Sequence, residues 1–264
     1  MIEVRDIHVT FGRGTPLETH ALRGVDLMIP EGQFVTVIGS NGAGKSTLLN
    51  VVTGDVPVDS GKVLADETDV TGWSAPRRAG LVARVFQDPM AGTCEALSIE
   101  ENLALAYARG RRRGLGRALD GNRRAFFRDH IAELGLGLED RLGDRMGLLS
   151  GGQRQAVSLL MSTLAGMKIL LLDEHTAALD PRTSAFVLDL TKRIVAEHGL
   201  TVMMVTHSMR HALDHGDRTI MLHEGRIVLD VSGTERSGLD VPDLLGLFSK
   251  VRGEQLADDS LLLG

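Results

Sequence analysis

The chain is poor in sulfur chemistry and in rings. One cysteine, Cys94, stands among 264 residues, which excludes an internal disulfide framework and fits a reducing compartment. Read alone, that cysteine is a small, partly buried hydrophobe. Aromatic residues make up 3% of the chain, so the core must be built from Leu, Val, Ile, Ala and Met. No apolar run approaches the ~18 residues of a membrane span. Met1-Ile2-Glu3-Val4-Arg5-Asp6 lacks the basic flank and apolar stretch of a secretory signal, so none is expected. Excess positive charge is missing too. The 29 Lys+Arg face 35 Asp+Glu, a net charge of −6, so no nucleic-acid partner is expected. Work at a membrane would need another chain to cross it.

What is present reads as a globular α/β chain. Ile2, Val4, Ile7 and Val9 suit a half-buried strand over 2–10, closed by a turn at Gly12, Gly14 and Pro16. Ala21 to Ile29 is a second strand, and Phe34-Val35-Thr36-Val37-Ile38 a buried one. Short strands follow near Gly61–Leu64 and Ala83–Phe86. Ser98-Ile99-Glu100-Glu101 has the form of a capping box, and helical spacing continues through Phe127, Ile131 and Leu134. Ile169–Leu172 and Val202–Val205 are short apolar runs of the kind found in sheets covered on both faces. A helix from Thr183 to His198 lies between them. Ile220–Leu222 and Arg226–Leu229 bracket a hairpin turn. Beyond Gly233 the signal weakens, and the last dozen residues are expected to be loosely held. The Arg109–Arg113 run has no interleaved aromatics and reads as a solvated surface. Met203, Met204 and Met209 read as core filler.

Two elements carry chemistry without further context. Gly39-Ser40-Asn41-Gly42-Ala43-Gly44-Lys45-Ser46-Thr47 fits G-x-x-x-x-G-K-[ST] between an expected strand and an expected helix. The glycines let the backbone N–H groups face phosphates, Lys45 reaches the β and γ phosphates, and the Ser46 hydroxyl suits Mg²⁺. Asp173-Glu174 ends a buried strand, where a carboxylate needs a cation. Beside a P-loop that cation is Mg²⁺ on Asp173, and Glu174 can then activate water. A third element, Leu149-Ser150-Gly151-Gly152-Gln153, precedes a helix expected to start near Gln153. It offers a second phosphate cradle.

Together and in this order, these residues resemble the ATP-binding cassette (ABC) family over roughly residues 2–232. Leu149 to Gln153 matches the family signature. Gln87, after Val85-Phe86, matches the Q-loop glutamine, Ala178-Leu179-Asp180 the D-loop, and His207 the switch histidine. Phe11 stands where the family places an aromatic that stacks on adenine. Lys45 follows it by 34 residues, a slightly long spacing that the Gly12–Thr19 loop accounts for.

The resemblance implies a P-loop core with a mixed sheet, an N-terminal antiparallel subdomain and a helical signature subdomain at about 90–158. These lie within a 1–233 domain followed by a 234–264 tail. It implies ATP and Mg²⁺ as cofactors, with Ser46, Gln87 and Asp173 on the metal and Lys45, Gln87, Glu174 and His207 in catalysis. Two copies, or one copy and a similar ATPase subunit, would pack head to tail. Residues Ser150 to Gly152 of each would face the partner's ATP. A membrane permease and, indirectly, a solute-binding protein would complete an importer, with this chain on the cytoplasmic face of the membrane.

His175 departs from the proline usual after the catalytic glutamate and leaves an added pH dependence open. With Phe86 to Thr93 and Thr206 to Arg210, it makes the chain similar to an importer subgroup associated with tryptophan or tyrosine. An exporter ATPase and a soluble ABC ATPase are the alternatives. DNA-repair relatives carry a long coiled coil between the two halves, and the 63 positions from Gln87 to Ser150 are too few for one.

Overall fold

A computed structural model describes residues 1–110 and 118–250. In chain order its elements are β1 (Ile2–Phe11), β2 (Thr19–Ile29), β3 (Phe34–Gly39), α1 (Lys45–Thr53), β4 (Ser60–Ala65), β5 (Thr68–Asp69), α2 (Ala75–Arg78), β6 (Val82–Val85), α3 (Ile99–Tyr107), α4 (Gly121–Ala132), α5 (Gly151–Thr163), β7 (Ile169–Asp173), α6 (Pro181–His198), β8 (Thr201–Val205), α7 (Met209–Asp214), β9 (Arg218–His223), β10 (Arg226–Ser232) and α8 (Gly233–Ser237). Residues 241–250 are also helical.

The strands form two sheets. A four-stranded antiparallel sheet runs β2-β1-β4-β5, and a six-stranded sheet runs β10-β9-β3-β8-β7-β6. In the larger sheet β9, β3, β8, β7 and β6 are parallel, and only β10 is antiparallel. The apolar runs follow from this placement. Along β7, Ile169 and Leu171 face a core shared with β1, β2 and α1, while Leu170 and Leu172 face a core shared with α3, α4 and α5. Met203 and Met204 of β8 divide in the same way. A strand buried on both faces cannot afford alternate polar residues.

Helix α5 begins at Gly151, two residues before the start expected near Gln153. Ser150 is its N-cap: Ser150 Oγ accepts from the Gln153 N–H, and the Gln153 side chain accepts from the Ser150 N–H. That reciprocal box makes Gln153 the third helical residue. The same device opens α3 at Ser98 and Glu101.

Cys94 is exposed, which corrects the expected partly buried hydrophobe. Its backbone fixes the segment instead. The Cys94 N–H donates to Asn102 Oδ1, and the Cys94 carbonyl accepts from Asn102 Nδ2. Of the arginine run, Arg109 is partly buried and Arg111 to Arg113 lie outside the described residues.

The segment after Gly233 is docked as far as Phe248, and the last dozen residues, expected to be loosely held, lie outside the described residues. Arg236 Nη2 donates to the carbonyls of Ala212, Leu213 and His215, which satisfies the C-terminal end of α7. Leu244 is fully buried with Ile38, Ala212 and Met221.

Candidate active site

The expected site residues cluster where parallel strands end. Gly39 closes β3, Asp173 closes β7, His207 lies two residues past β8, and Gln87 lies two residues past β6. All four are at the carboxyl edge of one sheet, where strands feed loops and helix N-termini.

The loop after β3 is a nest. Gly39, Gly42 and Gly44 adopt φ of +151°, +79° and +101°, a region that L side chains avoid. A Cβ on Gly39 would stand 2.2 Å from the Leu222 carbonyl oxygen, and one on Gly44 would stand 2.6 Å from that of Ala21. Both positions therefore exclude any side chain. Lys45 is buried, and its Nζ donates to the carbonyls of Gly39 (2.8 Å) and Ser40 (2.9 Å). Burial pushes its pKa down, opposed by the fields of Glu174 and Asp173. A cleft of about 210 Å³ opens here, lined by Asn41, Gly42, Ala43, Gly44, Lys45, Ser46, Thr47, Glu174 and His207. Its curved N–H array, helix N-terminus and ammonium suit a polyphosphate. Ser46 in the lining is a hard oxygen donor that suits Mg²⁺, as is Asp173, which stands at the end of β7 outside the lining.

Glu174 and His207 meet across this cleft. His207 Nε2 stands 2.6 Å from Glu174 Oε1. Glu174 holds φ at +47° while its N–H donates to the Val205 carbonyl at 3.0 Å. A non-glycine residue in that region costs about 1–2 kcal/mol, so β8 pins a strained residue at the mouth of the phosphate cradle.

His175 turns away from the cleft. It is 2% exposed, with Nε2 3.1 Å from Thr191 Oγ1 of α6. Burial, reinforced by His215 and His211, lowers its pKa to about 3. At neutral pH it is a neutral packing residue.

Other expected residues stand outside the cleft lining. Phe11 is 44% exposed at the end of β1, which rules out a core role and leaves its ring available. Gln87 is exposed just beyond β6. Asp180 is the N-cap of α6, and hydrogen bonds from Thr183 hold its carboxyl below the ordinary range. Ala178 is exposed, whereas Leu179 lines a second cavity of about 580 Å³ with Glu174, Thr176, His207 and His211.

The signature residues pack on that same region of their own chain. A Cβ on Gly152 would stand 2.1 Å from Thr183 Cγ2, whereas one on Gly151 would meet only Leu179 Cδ2 at 3.6 Å. Leu149 is buried beneath them. Within one chain these residues do not line the cleft at Lys45.

Sequence reading missed two polar anchors. Gln155 Nε2 of α5 donates to the Phe86 carbonyl, which ties the signature helix to the residue before Gln87. Arg84 Nη2 donates to Asp173 Oδ2 at 2.6 Å. The clue to Arg84 was present: an arginine inside the apolar strand Val82-Ala83-Arg84-Val85 must find a buried partner.

Comparison with known proteins agrees with this geometry. The ABC transporter family model matches residues 22–177. The tyrosine transport ATP-binding protein of Clostridioides difficile (strain R20291) is 43% identical over 94% of this chain and 98% of its own length. The aliphatic sulfonates import ATP-binding protein SsuB of Escherichia coli (strain K12) is 36% identical over 83% of this chain and 82% of its own. Among solved structures, a dimeric post-hydrolysis state of the ATP-binding cassette MJ0796 bound to ADP and Pi superposes with a TM-score of 0.75 at 28% identity. It covers 88% of this chain and 98% of that one. The glycine-rich nest, the carboxylates at the strand ends and these likenesses agree: the chain belongs to the ABC transporter family and is its ATP-binding, ATP-hydrolysing subunit.

Proposed function

We propose that this cassette powers solute import as a head-to-tail dimer on the cytoplasmic face of a membrane. No helix among the described residues is long and apolar enough to cross one, so the path for solute belongs to a separate permease. The reading divides the chain into a 1–233 ATPase domain, with a helical insertion at about 90–158, and a 234–264 tail. The Asn41–Thr47 backbone and Lys45 hold the β and γ phosphates, and Phe11 stacks on the adenine. Ser46, Asp173 and Gln87 hold Mg²⁺. The metal supplies charge compensation on the phosphate oxygens. Glu174 takes the proton of the attacking water, and His207 orients Glu174 and faces the γ-phosphate. Leu149 to Gln153 of the second copy close over that ATP, and Ala178-Leu179-Asp180 line the joint between copies.

The carrying observation is the 2.6 Å contact of His207 with Glu174 at a cleft that Lys45 and Ser46 also line. Dimerisation is supported by the dimeric ADP- and Pi-bound cassette to which the chain is similar. Import is supported by the sulfonates import relative and an aromatic amino acid as cargo by the tyrosine transport relative; a solute-binding protein upstream is part of the proposal.

Glu174→Gln tests the chemistry. It should bind ATP as wild type does and hydrolyse it ~10²–10⁴-fold more slowly, the usual cost of losing a positioned base. With ATP it should elute as a dimer in gel filtration. Hydrolysis within a few-fold of wild type would remove Glu174 from that role. Uptake of labelled tyrosine and tryptophan by cells carrying wild type or Glu174→Gln tests the cargo, and equal uptake by both would reject it.

A further inference from the structure

Arg84 occupies the middle of β6, and its side chain is 12% exposed. Its guanidinium makes a fork between two elements of the site. Nη2 donates to Asp173 Oδ2 at 2.6 Å, and Nη1 donates to Asn50 Oδ1 of α1 at 2.7 Å. Asp55 stands 3.6 Å from Nη1, and the guanidinium carbon lies 4.7 Å from the centre of the Phe86 ring. Among the described residues, Nε is buried without a hydrogen-bond partner. The side chain thus leaves Nε unpaired while its two terminal nitrogens hold Asn50 and Asp173. A planar guanidinium fixes both directions at once, which an ammonium cannot do.

We propose that Arg84 is a positioning residue for the divalent metal: it clamps Oδ2 of Asp173 against α1 and so presents Oδ1 as the oxygen free for the metal. This inference rests on the reading of Asp173 as a metal ligand. The competitor for Asp173 is Lys45, which already lies in the field of Asp173 and Glu174. Without the fork, Asp173 swings toward Lys45. The metal then loses an aligned ligand, and the lysine is partly neutralised by a carboxylate. The fork also ties β6, which leads through Phe86 to Gln87, to the P-loop helix and to β7. Three contributors to the site are thereby held in one register. Partners that orient a metal ligand from behind typically account for ~10–100-fold in metal affinity.

The test is a binding measurement on the whole chain with the non-hydrolysable analogue AMP-PNP, titrated calorimetrically in EDTA and then at stepped Mg²⁺ or Mn²⁺. Arg84→Met keeps the length and apolar stem. Its affinity in EDTA should stay within about threefold of wild type, because the P-loop is untouched. The Mg²⁺ or Mn²⁺ needed for half of the metal-dependent gain should rise at least ~10-fold. A wild-type metal midpoint, or a lower one, would overturn the proposal. A merely structural role would weaken binding equally with and without metal, and that outcome overturns it too. Should Arg84→Met fail to fold, Asn50→Ala carries the test. It leaves all charges in place and releases one arm of the fork. It should raise the metal midpoint while sparing binding in EDTA, and an unchanged midpoint would refute the clamp. Asp173→Asn separates the two levels. If it abolishes the metal-dependent gain while Arg84→Met leaves the midpoint alone, only the Arg84 role fails. If Asp173→Asn also leaves the midpoint alone, the metal-ligand reading fails with it.

Discussion

Gly39–Thr47 and Leu149–Gln153 are both glycine-bearing segments that run into a helix, yet they are built differently. The first keeps three glycines at positive φ and curls around Lys45, which donates to the loop's own carbonyls. The second has ordinary backbone dihedrals at Gly151 and Gly152. Its helix start is satisfied in part by the Ser150–Gln153 box, which pairs the N–H groups of Ser150 and Gln153. One loop is a cradle that needs only its own chain and a ligand. The other is a stiff helix end whose first glycine touches little within its chain. Glycine at 39 is required by backbone contact from β9, and at 152 by a side chain of α6. At 151 the fold makes no such demand, and the proposed contact with a second copy is what would call for glycine there.

Four experiments probe this contrast, in order of expected size. Gly39→Ala sets a Cβ 2.2 Å from the Leu222 carbonyl oxygen of β9 at a φ that alanine resists. It should abolish measurable ATP binding and lower the unfolding midpoint. Calorimetric affinity near wild type would show that the cradle tolerates a side chain. Gly151→Asp should leave the affinity of the isolated chain for ATP unchanged, because only Leu179 stands near. Turnover should fall more than ~100-fold if the segment closes on the partner's phosphates, since like charges repel strongly in a dry interface. A variant that hydrolyses normally would end the composite-site reading.

Gly152→Ala is a smaller effect with a contested sign. Alanine ordinarily stabilises a helix by ~1 kcal/mol over glycine, but a 2.1 Å approach to Thr183 Cγ2 should win. Overpacking costs ~1–3 kcal/mol, and a threonine in a helix has few rotamers into which to retreat. Chemical denaturation should show the loss, and Thr183→Ser should restore most of it. A stabilised Gly152→Ala would disprove the clash.

At neutral pH the smallest effect concerns His175, which joins the carboxylate strand to the helix on which Gly152 packs. Its pKa falls to about 3 in the fold from the ordinary 6.5. The unfolded chain therefore binds the extra proton over that interval. Stability should be full above pH 6.5 and decline as pH drops toward 3, by about 1.4 kcal/mol per pH unit from this group. His175→Gln should flatten the slope between pH 6 and 4, as followed by urea midpoints. An unchanged slope would assign acid sensitivity to other groups.

The sequence determined by itself whatever is local or periodic. The P-loop is contiguous, and its glycines and lysine state their own chemistry. The runs Ile169–Leu172 and Val202–Val205 announce strands covered on both faces. Ser98 with Glu101, and Ser150 with Gln153, reveal helix starts, although the box at Ser150 sets the first residue of α5 earlier than hydrophobic spacing suggested. Only the tertiary structure decided which distant groups meet. Arg84 finds Asp173 from 89 positions away, and Gly152 finds Thr183 across a helix packing. Arg236 caps α7 from a segment whose own pattern was too faint to read. Cys94 is exposed in a segment whose backbone is held by Asn102, eight positions on. The reason is common to all of these: local pattern sets backbone conformation through sterics and burial period, whereas a long-range polar contact depends on strand order and crossover geometry. Those are properties of the packed sheet, and no short stretch of sequence encodes them.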